Sequence, residues 1–132
     1  MSPDLCWLTY TLGLTLLFWL PYVLNRMVVR GIGGTLANPR SDDAPLAPWA
    51  QRAKAAHANA IENLAVFAPA LLLVHVLGLA NATTAFAAAL FFWSRLAHFV
   101  VYAAGLPVAR TLAFTGGWVA TVILVARILG SM

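Results

Sequence analysis

Residues 5–24 run for 20 positions without one charged side chain. That is about the length a helix needs to cross the hydrocarbon core of a bilayer. In water such a helix would have to be buried on every side, and 132 residues supply too little other protein to bury it. Residues 64–77, 82–104 and 108–129 have the same apolar character. Charged residues make up 9% of the chain and hydrophobic ones 62%, against roughly 25% charged in a soluble domain. An ordinary cytosolic domain, a disordered tail and a disulfide-stapled scaffold are excluded. The chain reads as an all-α integral membrane protein, a four-transmembrane-helix bundle forming a single domain over residues 1–132.

Turn chemistry divides these runs. Pro21 is positioned to kink the first helix. Between residues 31 and 48 stand Gly31, Gly33, Gly34, Asn38-Pro39, Asp42-Asp43 and Pro45, the composition of a loop. Pro48 suits the first position of the next helix. That helix is polar to Glu62 and apolar beyond it. Gly105-Leu106-Pro107 marks the last turn. The expected helices cover roughly residues 4–30, 47–78, 82–105 and 107–130. Trp7, Tyr10, Trp19 and Tyr22 lie near the ends of the first span, where interfacial aromatics concentrate. The start carries no basic region, and no small-residue cleavage site follows the first run, so it reads as a retained span and not a signal peptide. Ala85 with Ala89, and Gly116 with Ala120, have the spacing that lets membrane helices approach closely.

The net charge is +4. Alternating helices place Arg26, Arg30, Arg40, Arg52, Lys54 and Arg110 at one face and leave Arg127 alone at the other. The positive-inside rule then puts both termini outside and, in a bacterium, the chain in the inner (cytoplasmic) membrane. Arg26, Arg52 and Lys54 read as snorkelling anchors. No basic, aromatic-studded polar surface suggests nucleic acid. Cys6 is the sole cysteine, which excludes an intrachain disulfide. His57 and Glu62 are five residues apart and face different ways, a poor start for a metal site, so none is expected.

Charges inside spans are costly, roughly 2.5–3.5 kcal/mol each on insertion scales unless paired or wetted. Glu62, Arg95 and His98 are therefore the informative residues. Asn59 and Glu62 share a helix face at i, i+3, and Arg95, His98 and Tyr102 share one at i, i+3, i+7. Arg110 and Thr111 open the last helix, where free N–H groups and the helix dipole favour an anion. Glu62 and Arg95 suit either a buried ion pair or a polar pocket. Such a pocket would combine arginine, histidine, tyrosine, threonine, asparagine and glutamate, and would suit a small zwitterionic or anionic ligand. His57 points about 140° away from Glu62. His75 reads as a packed or interfacial residue.

Several of these residues fall in recognisable strings. The segment Ala56-His57-Ala58-Asn59-Ala60-Ile61-Glu62-Asn63 resembles the second-helix signature of the MAPEG family, the membrane-associated proteins in eicosanoid and glutathione metabolism, in a bacterial-type form. The string from Arg95 through His98 to Tyr102 is similar to the family's third-helix motif, Arg110-Thr111 to the start of its fourth helix, and Ala37-Asn38-Pro39 to its first loop. The resemblance implies a homotrimer in membrane lipid, with glutathione bound as co-substrate between subunits near the cytoplasmic face and a small lipophilic second substrate. It implies glutathione contacts from Arg30, His57, Asn59, Glu62, His98, Tyr102, Arg110 and Thr111, with Arg95 added to the same pocket. Glu62 would take the γ-glutamyl amine. Arg110 would be catalytic, stabilising the thiolate. Phe114 stands where some relatives place a tyrosine, and Ala55 and Ala58 where some carry arginines. The expected activity is that of a glutathione-dependent transferase or peroxidase acting on lipophilic electrophiles. The alternative is a non-catalytic member with a structural or ligand-binding role. A four-helix drug exporter is disfavoured because the first span lacks a carboxylate.

Overall fold

The computed structural model describes all 132 residues. It is entirely helical: α1 (Pro3–Leu17), α2 (Leu20–Leu36), α3 (Pro48–Val76), α4 (Ala82–Ala104) and α5 (Pro107–Leu129). α1 and α2 together form one long transverse element, Pro3–Leu36, so four elements are long and apolar enough to cross a membrane.

The junction between α1 and α2 is a proline kink. Pro21 has no N–H to offer the carbonyl of Leu17. The ladder tightens there, with Phe18 N–H donating to Thr15 O at 3.2 Å, and resumes where Val23 N–H donates to Trp19 O at 3.1 Å. The bend sets Phe18 flat on Phe99 of α4, with ring centroids 4.0 Å apart and planes 4° apart. A second break comes at Gly31, whose φ of 69° and ψ of 175° are open to glycine alone at little cost. The first helix, expected to stop near residue 30, therefore turns there and adds a short further segment to Leu36.

Residues 37–47 return the chain to α3. They are tied down by Arg30, whose Nη1 meets Asp43 Oδ2 at 2.6 Å and whose Nε donates to Ala44 O at 2.8 Å. Asn25 Oδ1 accepts from Ala47 N–H at 3.0 Å. Pro48 then opens α3 at the position where a missing N–H costs nothing.

α4 is the central element, packed against α1, α3 and α5. Its start is fixed by a capping box between Asn81 and Thr84. Its end is a left-handed Gly105, φ 79°, with Leu106 N–H reaching back to Val101 O and Gly105 N–H to Tyr102 O. Small side chains bring the helices together. Ala50, Ala53, Ala56 and Ala60 of α3 are buried, as are Ala87 and Ala88 of α4 and Ala120 of α5. Gly116 meets Ser94 on the α4–α5 contact. Phe67 and Phe91 stack at 3.7 Å in the middle of this core, with Leu71, Val74 and Leu124 around them. Close packing rather than exclusion from water holds helices together in lipid, and an alanine stripe is what permits it.

Candidate functional site

Arg95 organises the polar end of the bundle. It sits on α4 facing α5 and is only 1% exposed. Its Nη1 donates to Asn59 Oδ1 on α3 at 3.2 Å, and its Nη2 to Phe114 O on α5 at 3.2 Å. The rings of Phe91 and Phe114 each lie 5.5 Å from its Cζ. The space it fills exists because position 117 is glycine: a Cβ there would stand 2.5 Å from Nη2 and 2.9 Å from Cζ and Nε. Backbone carbonyls, one amide oxygen and two π faces replace part of the water that the guanidinium has lost, while its buried Nε has no hydrogen-bond partner.

No carboxylate takes part. The ion pair of Glu62 with Arg95 that the spacing suggests is not made within the chain, whose one salt bridge joins Arg30 to Asp43. Arg95 points between α3 and α5 at carbonyl height. Glu62, three residues beyond Asn59, instead lies exposed in a separate groove of about 480 Å³ between α3 and α5, with Asn63, Val66, Trp118 and Val125.

Above Arg95 a cleft of about 300 Å³ is lined by Asn59, His98, Tyr102, Arg110, Thr111 and Phe114. Asn59 Oδ1 is occupied by Arg95 and by Asn63 Nδ2 at 3.3 Å, which leaves the Asn59 Nδ2 donors for the cleft. His98 is 3% exposed, with Tyr102 edge-on at 5.4 Å between ring centroids. Arg110 lies over the Tyr102 ring with its Cζ 4.7 Å from the centroid and has no acidic partner. Arg110 and Thr111 stand in the first turns of α5, at the positive end of its dipole, although Arg110 N–H is itself taken by Leu106 O at 2.9 Å. The cleft thus offers a cation, an amide, a phenol, an imidazole and a hydroxyl, and no acid. Chemically it is a receptor for an anion that also carries hydrogen-bonding groups.

Asn59, His98, Tyr102, Arg110 and Thr111 are thus brought together on one cleft, with Arg95 beneath it. Three other residues expected there are not. Arg30 is engaged with Asp43 in the 37–47 loop. His57 turns to the first span, where its Nδ1 lies 3.0 Å from Tyr22 Oη and its ring beside Phe18. Glu62 belongs to the neighbouring groove.

Two further residues shape the site. Gly117 makes room for Arg95; its signal was the Gly116-Gly117 pair inside an apolar helix, of which only Gly116 was read as a packing residue. Arg52, read as an interfacial anchor, folds back so that its Nε donates to Ala103 O at 3.0 Å. Together with Arg110 it lines a second, smaller cleft at the α4–α5 turn.

A family model, that of the MAPEG family, matches residues 5–130. No curated protein and no solved structure matches the chain.

Proposed function

The chain belongs to the MAPEG family, and we propose that it is a glutathione-dependent transferase or peroxidase acting on lipophilic electrophiles dissolved in the bilayer. The observation that carries this reading is the acid-free cleft in which Arg110 faces Asn59, His98, Tyr102 and Thr111. A thiol beside an unpaired guanidinium and a helix N-terminus ionises more readily, and the thiolate is the nucleophile. In transfer, its sulfur forms a bond to the electrophilic carbon while the leaving group departs with its electron pair. In peroxide reduction the thiolate takes one peroxide oxygen and releases an alkoxide. A second glutathione then converts the sulfenic acid to disulfide and water. Arg110 holds the thiolate, and the neutral donors of the cleft orient the peptide.

The groove beside Glu62 supports assembly as a homotrimer. Glu62 is the midpoint of α3, which runs Pro48–Val76, so in an isolated chain its exposed carboxylate would face hydrocarbon at a cost of roughly 2.5–3.5 kcal/mol. A neighbouring copy on the α3–α5 groove removes that cost and brings Glu62 to a subunit boundary, where it can take the γ-glutamyl ammonium. Purified in mild detergent, the protein should give a trimer mass by native mass spectrometry. It should bind glutathione by calorimetry and turn over a generic electrophile such as chlorodinitrobenzene. Binding without turnover on any electrophile or hydroperoxide would leave the second reading, a non-catalytic member of the family. Ala55 and Ala58, both exposed on α3, favour that reading, because they present methyl groups where charged contacts are expected. Absence of glutathione binding would remove the glutathione reading altogether.

The charge distribution supports an orientation with the cleft at the cytoplasmic face and both termini outside. A reporter fused after Met132 should be active only on the outer side, and one inserted at Asp43 only in the cytoplasm. A cytoplasmic signal from the Met132 fusion would reverse the orientation.

A further inference from the structure

Asn63 stands between two cavities. It lines the groove of about 480 Å³ beside Glu62, and one turn back on α3 Asn59 lines the 300 Å³ cleft. Its Nδ2 donates to Asn59 O at 2.8 Å and also to Asn59 Oδ1 at 3.3 Å. The first bond does not require an asparagine. Thr11, Thr15, Thr115 and Thr121 each settle a hydroxyl on the carbonyl four residues back in the same way, and a serine or threonine at position 63 would do so too. The second bond uses what an amide has and a hydroxyl lacks, a longer reach and a second N–H. Leucine would suit an apolar helix better than either, since asparagine forms helix less readily and carries polar atoms.

The receiving oxygen is shared. A guanidinium carries donors only, and Arg95 Nη1 also takes Asn59 Oδ1, at 3.2 Å. One donor comes from α4 and the other from α3. Two donors on one oxygen leave the Asn59 amide a single orientation, oxygen inward and Nδ2 toward the cleft. Turned over, its NH₂ group would face two donors. With Arg95 alone the amide would be held at one point, and the torsion that swings it has broad wells. We propose that Asn63 is a positioning residue: it fixes the Asn59 amide so that the cleft presents a donor there, and it thereby sets the affinity for glutathione from outside the cleft. The assignment rests on the glutathione reading above and adds to it a residue that acts through Asn59. The competing explanation is that Asn63 serves the subunit boundary, because it lines the groove assigned to the neighbouring copy and its Oδ1 accepts no hydrogen bond within the chain. A positioning residue acts through Asn59, whereas a boundary residue acts through assembly.

The test is calorimetric titration with glutathione of the detergent-purified wild type, Asn63→Leu and Asn63→Ser, and of the same two substitutions in an Asn59→Ala background. Melting temperature and native mass are recorded beside each titration. A neutral hydrogen bond corresponds to roughly a two- to tenfold change in affinity. Asn63→Leu should bind glutathione that much more weakly, with the trimer kept and the melting temperature unchanged or raised. Asn63→Ser keeps the backbone bond but does not reach Oδ1, so it should weaken binding as leucine does. In the Asn59→Ala background neither substitution should weaken binding further. Wild-type affinity in Asn63→Ser or Asn63→Leu overturns the proposal, while the glutathione reading survives. A loss that persists undiminished in Asn59→Ala, or that comes with dissociation of the trimer, also overturns it and leaves the boundary role. If Asn63→Leu does not fold, or Asn59→Ala binds too weakly to titrate, Asn63→Ser decides: weaker binding by an intact trimer of unchanged melting temperature supports the assignment, and wild-type binding overturns it. If wild type binds no glutathione, that reading fails and the assignment falls with it.

Discussion

Replacing Arg110 by leucine is expected to lower glutathione turnover by one to three orders of magnitude while leaving the trimer and the melting temperature nearly unchanged. The stability half of this expectation comes from what Arg110 touches. It lies over Tyr102 in a partly exposed position at the head of α5 and makes no salt bridge. Its cation–π contact is worth about 0.5–1 kcal/mol at such a site. The catalytic half comes from electrostatics. An opposite charge within about 4–6 Å moves a pKa by roughly 1–3 units, and a free thiol titrates near 8.5. Removing the guanidinium should raise the pKa of bound glutathione by that amount. Below the thiol pKa each unit is a tenfold loss of thiolate, so the rate deficit should be steepest on the acid side and should shrink as pH rises. The midpoint of the pH–rate profile should move upward, and the thiolate absorbance near 240 nm in the glutathione complex should fade in parallel. Arg110→Lys should keep part of the shift, since a positive charge survives without the planar fork. If Arg110→Leu retains wild-type turnover at pH 6 to 7, the residue is a topology charge and the mechanism proposed above is wrong.

The number of spans was legible because an apolar run of 20 residues has one physical outcome in a small chain. The turns were legible for a similar reason: Gly105 before Pro107, and Pro48 after a polar loop, satisfy backbone constraints that few residues can meet. Gly31 does break the helix, as a glycine after a membrane span suggests, but the loop composition beyond it hid the short further helical segment that runs to Leu36. The cleft was half legible. Helical spacing put His98 and Tyr102 on the face of Arg95, the start of the last helix pointed to Arg110 and Thr111, and the resemblance brought in Phe114. Spacing within one helix cannot say which side chain on another helix receives a long, flexible one. Charge left Glu62 and Arg95 open to an ion pair or a polar pocket, and in the structure Arg95 finds carbonyls and Asn59. Arg52 was read as a snorkelling anchor and folds over the end of α4 instead. His57 shows the opposite case. The resemblance grouped it with the ligands, but its angle around α3 pointed away from Glu62, and the structure turns it to Tyr22.

Gly117→Ala should be among the most damaging single-methyl changes in the chain, whereas Gly116→Ala next to it should be close to neutral. Inside a helix, replacing glycine by alanine is by itself favourable by about 1 kcal/mol. At position 116 the new Cβ would fall 2.5 Å from Ser94 Oγ and 3.5 Å from its Cβ. The Ser94 hydroxyl can swing to another rotamer, so the helix gain and the repacking cost nearly cancel. At position 117 the methyl meets three atoms of a guanidinium at 2.9 Å or less. That guanidinium is enclosed, with Asn59 and Phe114 O as its partners, and it cannot move without losing them. Breaking the compensation of a buried charge costs about 3–5 kcal/mol, so the net loss should be roughly 2–4 kcal/mol. It should be read as a lower thermal midpoint or earlier unfolding in a denaturing detergent titration. Displacement of Arg95 also frees Asn59 Oδ1, so glutathione affinity should fall even in molecules that remain folded. Arg95→Met in the Gly117→Ala background should restore most of the stability, because an unbranched thioether bends around the methyl and carries no charge to compensate, but it should not restore binding. Equal stability of Gly116→Ala and Gly117→Ala would mean that Arg95 is free to leave its site. It would then not be the fixed floor on which the cleft is built.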